Sequence, residues 1–322
     1  MPAPPSLLAL RPVAAVHHLP RESEACPLSL RDLLGALEGA NAPLPIVVAP
    51  LVAIARGALV AAREADAVVG LSAPGAPPEA WFEAVVQAAH ELAPRQPFFV
   101  SAVVRVEEGE DGGARAMAEA HRLVEAGVTH LAVDVTGLPL VRRAQAAAQT
   151  ASFAAEREVA VDCLLPSEEV HALVPAEAAA FLEEFEGWGV RADLVSVRLP
   201  AAHGEAAEAQ LAALAALGRE LGDRPVVRRG PLTPELSARL RASPLLACED
   251  GGLALSACLR ALPPELAEAA RESRRGLLPL PEPLAERLEA LAYGEVASLI
   301  ESAGAGRGAG RVRSRLTPAR GR

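Results

Sequence analysis

The feature that most constrains the fold is a regular alternation of short β-branched runs with longer Ala, Leu and Glu-rich segments of helical period. The runs are apolar throughout, as expected of parallel strands that are covered on both faces. Several helical segments end in glycine directly before the next run, which is typical of helix-to-strand loops. The predicted strands are residues 45–49, 67–71, 98–104, 129–135, 158–165, 193–199, 224–229 and 244–249.

Eight strand–helix repeats in roughly 200 residues predict an α/β chain with a (β/α)8 TIM-barrel fold. The alternative is a doubly wound open sheet, which normally carries a Gly-rich phosphate turn after an early strand. Here the first strand continues as APLVAIARG, without GxGxxG, so we favour the barrel. We expect one domain over 27–300, with an extra N-terminal helix in 27–40 and a C-terminal helical extension. Residues 1–26 are expected to be irregular, and 301–322 to form a disordered Arg-rich tail.

The composition excludes several classes of function. The net charge is −10 and the pI about 5.3, which is unsuited to nucleic-acid binding because phosphate contacts need basic side chains. The chain contains no lysine, so all 31 basic residues are arginines. A Schiff-base mechanism is therefore excluded, because it needs a side-chain amine.

The chain also lacks the marks of secretion or membrane insertion. Its four cysteines are widely spaced, as expected of buried thiols in a reducing compartment. The N-terminal stretch has no charged region followed by a long apolar run, and the apolar segment PIVVAPLVAIARGALVAA is interrupted by Pro50 and Arg56. We therefore expect a cytoplasmic protein with no membrane contact.

Polar side chains are few at the C-terminal strand ends, where barrel enzymes carry their chemistry. Asp134 in HLAVDVTGLP lies in the last part of an apolar run, where a carboxylate is costly unless it is paired or used. The same argument applies less strongly to Asp162 in VAVDCLLP, because the run continues apolar from Cys163 to Leu165. For Asp134, an acid–base role and capping of the following turn are both open. His203, in LPAAHG, follows another strand and is a candidate acid–base group. His130 begins a strand, which we interpret as the wrong end for chemistry.

Two adjacent arginines, Arg228 and Arg229, end a later strand. Successive side chains on a strand point to opposite faces, so one of the two is expected to face the barrel mouth. There it could bind a carboxylate or phosphate, or instead form a salt bridge to Glu249 or Asp250 on the next strand. These four residues and Asp162 are our candidate substrate-binding set, for a small anionic substrate or sugar phosphate.

Three segments, HRLVEAGVTHLAVDVTGLPLVRRAQ, DLVSVRLPAAHG and RPVVRRGPLTPELSARL, follow one another in a familiar order and spacing. In that order the chain resembles the metal-dependent, class II fructose-bisphosphate aldolases and their relatives acting on tagatose bisphosphate. The resemblance runs from about Leu30 to Arg260 and implies a TIM barrel, aldehyde-lyase ancestry and a place in carbohydrate metabolism. It also implies a zinc ion that is held by three histidines and polarises the ketose carbonyl.

The residues that the resemblance assigns to the metal are mostly replaced. The first histidine ligand falls on Val104 and the last on Arg229, and His203 is left as a remnant ligand. One histidine cannot hold catalytic zinc, which needs about three protein ligands. We therefore expect no metal cofactor.

Two hypotheses on function follow, and a third requires a different alignment. The first is an aldolase-like barrel that has lost zinc-dependent cleavage and acts as a non-catalytic, regulatory or scaffold subunit, with a possible homodimer through the C-terminal helices. The second is a lyase on a small anionic carbonyl compound or sugar phosphate, with Arg229 as electrostatic element and Asp134 or His203 as acid–base. The third is an intact zinc aldolase.

Overall fold

A computed structural model describes residues 7–38, 43–74, 78–165, 175–222, 224–240, 247–250, 252–272 and 280–316. Within these ranges the strands form one parallel sheet that closes on itself, because β9 pairs with β2 and β4 pairs with both β3 and β5. The predicted (β/α)8 barrel is confirmed, and β2–β9 are its eight strands. The strands are β1 (Cys26–Pro27), β2 (Leu44–Val48), β3 (Val69–Ser72), β4 (Pro97–Arg105), β5 (His130–Asp134), β6 (Ala160–Leu165), β7 (Leu194–Arg198), β8 (Val226–Arg229) and β9 (Ala247–Glu249).

Each barrel strand is followed by a helix, and further helices lie at both ends of the chain. A 3-10 turn at Leu7–Leu10 and α1 give short helical structure to the N-terminal segment that we expected to be irregular. None of the described helices is long and apolar enough to cross a membrane. The helices are α1 (Val13–His17), α2 (Leu30–Leu37), α3 (Val52–Glu64), α4 (Pro78–Leu92), α5 (Gly112–Glu125), α6 (Leu140–Glu156), α7 (Pro175–Gly187), α8 (Gly204–Glu220), α9 (Pro234–Leu240), α10 (Leu253–Ala261), α11 (Pro264–Glu272), α12 (Glu282–Ala303) and α13 (Gly308–Leu316).

Helix α2 closes the N-terminal end of the barrel. Its leucines recur at helical spacing along one face, and Leu30, Leu33 and Leu37 are buried. They share a core cluster with side chains inside the barrel, among them Ile46 and Phe99. This apolar floor leaves the opposite end of the barrel for polar side chains.

The Arg-rich C-terminal segment does not match the expected disordered tail in its described part. Helix α13 packs against α2, with Ala309 and Val312 buried. Asp66 fixes it to the body by accepting a hydrogen bond from the backbone N–H of Gly310 and pairing with Arg313. In its described part this Arg-rich segment is therefore a helix that packs through an apolar face and contacts Asp66. Residues 317–322 lie outside the described residues.

Candidate functional site

A layer of polar side chains crosses the interior of the barrel above the apolar floor. Arg229 on β8 lies at its centre and donates hydrogen bonds from Nη2 to Oδ2 of Asp162 at 3.0 Å and from Nη1 to Oε2 of Glu249 at 2.9 Å. Its Nε donates to Oγ of Ser196 at 2.8 Å, and Ser196 in turn donates to Oδ2 of Asp162. Arg229 and Asp162 are buried, so the guanidinium makes these hydrogen bonds inside the protein, away from solvent. For the inward arginine, the sequence left open either binding of an anion or a salt bridge to the next strand. The structure shows the salt bridge, from Arg229 to Glu249.

His130 completes this buried polar layer, which comprises Ser101, His130, Asp162, Ser196, Arg229 and Glu249. Its Nδ1 lies 3.0 Å from Oγ of Ser101, and its Nε2 lies 3.3 Å from Oδ2 of Asp162 without the alignment of a hydrogen bond. Sequence reasoning placed His130 at the wrong end for chemistry, but the first residue of β5 pairs with Ser101, in the middle of β4. Counting back by twos from Asp134 would have put His130 on the same inward face.

Burial and pairing set the charges of this layer. Burial lowers the pKa of His130 and outweighs the opposite effect of Asp162, so the ring stays neutral. Burial opposes ionisation of Asp162, but His130, Arg229 and Ser196 prevail and lower its pKa. Burial also opposes the charge on Arg229, while Asp162 and Glu249 raise its pKa. The layer is therefore an ion-paired arginine between two carboxylates beside a neutral histidine.

Asp134 lies one level higher, at the mouth of the barrel. Its Oδ1 accepts hydrogen bonds from the backbone N–H and Oγ1 of Thr136 at 3.0 and 2.6 Å, so Asp134 does cap the following turn. Its Oδ2 lies 3.3 Å from Nη1 of Arg198 and 3.4 Å from Nε of Arg105. Burial works to raise the pKa of Asp134, but the Thr136 hydrogen bonds and the two arginines outweigh it and lower the pKa. A carboxylate held in its charged form is a weak general base.

Arg228 is separate from this interior, as alternation along β8 requires. Its guanidinium is buried outside the barrel and donates to the backbone carbonyls of Pro200, Gly230 and Pro231 at 2.9 to 3.1 Å and, more weakly, to Gln210. Among the described residues its acceptors are all uncharged, and burial lowers its pKa to about 10. The structure thus places Arg228 as a brace between the β7 and β8 loops and not with the predicted substrate-binding residues.

Asp250 also has a local role. Its side chain is buried and accepts backbone hydrogen bonds from Val48 at 3.1 Å, Gly252 at 2.8 Å and Ala254 at 3.4 Å. It thereby ties β2 to the start of α10. Burial raises the pKa of Asp250 to about 7 despite these donors. Its contacts are therefore local backbone contacts that hold the turn between β9 and α10, whereas Glu249, its neighbour, joins the buried polar layer.

The residues present do not fit the zinc centre that the resemblance implies. Within the described part of the chain, no three His, Cys, Asp or Glu side chains are grouped to hold a metal. His203 is exposed and lies directly before α8, with Glu235 in its neighbourhood. Val104 packs outside the barrel between the sheet and the helices, and Arg229 brings a positive charge to the interior.

A cavity of about 620 Å³ opens at the mouth, between the ends of β2, β3 and β4. Ser72, Ser101, Arg198 and Glu249 line its inner side, so the cavity reaches the buried polar layer at Ser101 and at the partly exposed Glu249. Trp81 and Phe82 of α4 line its outer side. Pockets of 300 to 1,000 Å³ are the usual size for small-molecule sites.

Solved structures match this architecture. The YdjI aldolase from Escherichia coli K12 superposes with a TM-score of 0.60 at 13% identity, over 87% of this chain and 98% of that one. A candidate fructose-1,6-bisphosphate aldolase from Coccidioides immitis superposes with a TM-score of 0.56 at 14% identity, over 89% of this chain and 97% of that one. The chain has an aldolase-like fold. At these identities the likeness is one of fold alone. No family model matches the chain, and no curated protein matches it in sequence.

Proposed function

We propose that this chain is an aldolase-type barrel of class II ancestry that does not carry out zinc-dependent aldol cleavage and acts as a non-catalytic, regulatory or scaffold subunit. The observation that carries the proposal is the ion pair of Arg229 with Asp162 and Glu249 in the barrel interior. In the alignment with the class II aldolases, Arg229 occupies the position of a histidine that binds the metal in that family. A guanidinium there repels a divalent cation and also occupies the carboxylates that could have bound it.

Metal content and cleavage activity test this proposal together. The purified protein is analysed for zinc by mass spectrometry, then assayed for retro-aldol cleavage of fructose and tagatose bisphosphates with added ZnCl2 or with EDTA. We expect far less than one zinc per chain and no cleavage above the protein-free rate. One zinc per chain together with EDTA-sensitive cleavage would overturn the proposal and restore an intact zinc aldolase.

A second candidate function, a metal-independent lyase on a small anionic carbonyl compound, is favoured by the pair of arginines at the mouth. Arg105 and Arg198 face one carboxylate, Asp134, which leaves one positive charge without a counterion in this group. Such a charge could stabilise an enolate oxygen, with Asp134 or His203 moving the proton. Cleavage of a sugar phosphate that persists in EDTA and is lost in Arg198→Gln would support this second function over the first.

Assembly and location are further parts of the proposal. We propose a cytoplasmic protein that forms a homodimer through its C-terminal helices. Light scattering coupled to size-exclusion chromatography measures the mass directly. A mass close to 33.3 kDa, that of one chain, would contradict the dimer.

A further inference from the structure

The cavity at the mouth continues over the end of β3 into the helix layer. Strand β3 ends at Ser72, which pairs with Ser101, whereas β4 runs on to Arg105 and pairs there with β5. Beyond Ser72, no strand among the described residues pairs with the β3 side of β4, and the space passes from the inner face of β4 at Val103 to its outer face at Ala102. A single cavity therefore contacts both the barrel mouth and the space between α4 and α5.

The two halves of this cavity differ in chemistry. The outer half, which we call the apolar slot, is lined by Trp81, Phe82, Val100, Ala102, Leu123 and Val128. The inner half is polar and contains Arg198, whose side chain is half exposed. Arg122 lies at the rim of the slot, but it is bound through Nε and Nη2 to Glu119. Arg198 is thus the cation of this cavity best placed to take a ligand.

Arg198 has donors to spare. It contacts Asp134 through Nη1 at 3.3 Å, and Arg105 competes for the same carboxylate oxygen at 3.4 Å. Both distances are long for charge-assisted hydrogen bonds, which are usually about 2.7 to 2.9 Å. Glu249, the acid on the inner side, is occupied by Arg229. Arg105, Arg198 and Asp134 carry one net positive charge at the mouth, while Arg229 with Asp162 and Glu249 carries one net negative charge below it. An anion in this cavity would therefore be recognised by the spare donors of Arg198 and not by a net positive field.

We propose that this cavity binds a small amphipathic carboxylate, with its carboxylate group on Arg198 and its aliphatic or aromatic body in the apolar slot. The volume of about 620 Å³ is ample for an eight-carbon chain and its head group. Burial of the hydrocarbon supplies affinity, and the arginine selects the anion over a neutral analogue of the same length. This inference is independent of whether the barrel cleaves any substrate.

The chain provides its own reporter for this site. It has two tryptophans, of which Trp81 lines the slot and Trp188 is exposed just after α7. Trp81 is fixed by donating from Nε1 to the carbonyl of Ala49 at 2.9 Å. In a Trp188→Phe background, all tryptophan fluorescence comes from the proposed slot.

Three probes separate the parts of the proposal: octanoate, 1-octanol and acetate. We expect octanoate to change Trp81 emission saturably, 1-octanol to bind about tenfold more weakly, and acetate to cause no saturable change. In Arg198→Gln, octanoate is expected to lose about tenfold in affinity while 1-octanol keeps its own. Unchanged 1-octanol binding also shows that this variant retains a folded slot. Arg311→Gln, on the exposed side of α13, is the matched control and should bind octanoate as the parent does.

Several outcomes would overturn the proposal. The absence of a saturable response to octanoate would remove the site. Equal affinity for octanoate and 1-octanol, unaffected by Arg198→Gln, would show an apolar hole that does not recognise an anion. Acetate binding as tight as octanoate binding would confine recognition to the mouth and exclude the slot. None of these results depends on zinc content or aldol cleavage.

Discussion

Arg229 and Asp162 lie on β8 and β6, 67 residues apart in the chain, and their side chains meet at 3.0 Å in the closed interior of the barrel. Ser196, on the strand between them, links the two by accepting from Arg229 and donating to Asp162. The pair therefore joins three neighbouring strands, and its loss is expected to affect the fold as well as any chemistry.

Replacing Arg229 with methionine is expected to destabilise the protein by about 3 to 5 kcal/mol, because Asp162 and Glu249 lose the cation that compensates their charges. Urea unfolding followed by far-UV circular dichroism measures the change in free energy. Arg105→Gln is the control: the arginine is largely exposed, and its ion pair at the mouth is worth about 1 kcal/mol or less. A cost for Arg229→Met as small as that of the control would show that the buried pair contributes little.

His130 is expected to make stability fall as the pH drops. In the native state burial lowers its pKa, so the unfolded chain takes up a proton near pH 6.5 that the native state refuses. Below about pH 6.5 the unfolded state therefore binds more protons than the native state, and the contribution of His130 to the free energy of unfolding decreases. We expect His130→Gln to reduce the loss between pH 8 and pH 5.5 by about 1 kcal/mol in urea unfolding. A loss that is the same in His130→Gln as in the parent would contradict this assignment.

Asp250 is expected to have the opposite effect on the pH dependence of stability, which it should decrease as the pH rises. Its native pKa is raised to about 7, so the folded state holds a proton that the unfolded chain releases near pH 4. The stability that this protonated form contributes is present below about pH 4 and is lost as the pH rises through 7. Asp250→Asn keeps the Oδ1 acceptor for Val48 and Gly252 without the charge. Its unfolding free energy relative to the parent should therefore increase from pH 4 to pH 8, and a difference independent of pH would contradict this assignment.

Two glycines on packed helices are expected to respond to alanine with opposite signs. A Cβ on Gly57 of α3 would lie 2.4 Å from the backbone oxygen of Glu289 and 2.8 Å from the backbone nitrogen of Tyr293, both on α12. Gly57→Ala should therefore cost about 1 to 3 kcal/mol by pushing the helices apart. Gly294, on α12, has open space at its Cβ position, so Gly294→Ala should stabilise by about 0.5 to 1 kcal/mol. Thermal unfolding measures the melting temperature of both variants. Equal shifts for Gly57→Ala and Gly294→Ala would contradict the close contact between α3 and α12 at Gly57.

The layered interior explains which site residues could be predicted from the sequence. Asp162 stood out as a carboxylate within an apolar run and Arg229 as a charge at the end of a strand, and both lie in the buried polar layer. His130 did not stand out, because the sequence does not reveal how far one strand is staggered relative to the next. In the barrel the first residue of β5 pairs with Ser101, which itself pairs with the last residue of β3. The shear of a closed sheet thus brings a strand start level with a strand end.

By itself the sequence determined the fold class, because the periods of strand and helix are local properties that recur along the chain. It also determined that one arginine of the 228–229 pair faces inward, since strand side chains alternate. The tertiary structure alone decided which charges meet. Val104 faces the helix layer, Arg228 braces loops, and Arg229 pairs with Asp162 and Glu249. These outcomes depend on barrel closure and strand stagger, which join residues far apart in the chain and leave no local mark on the sequence.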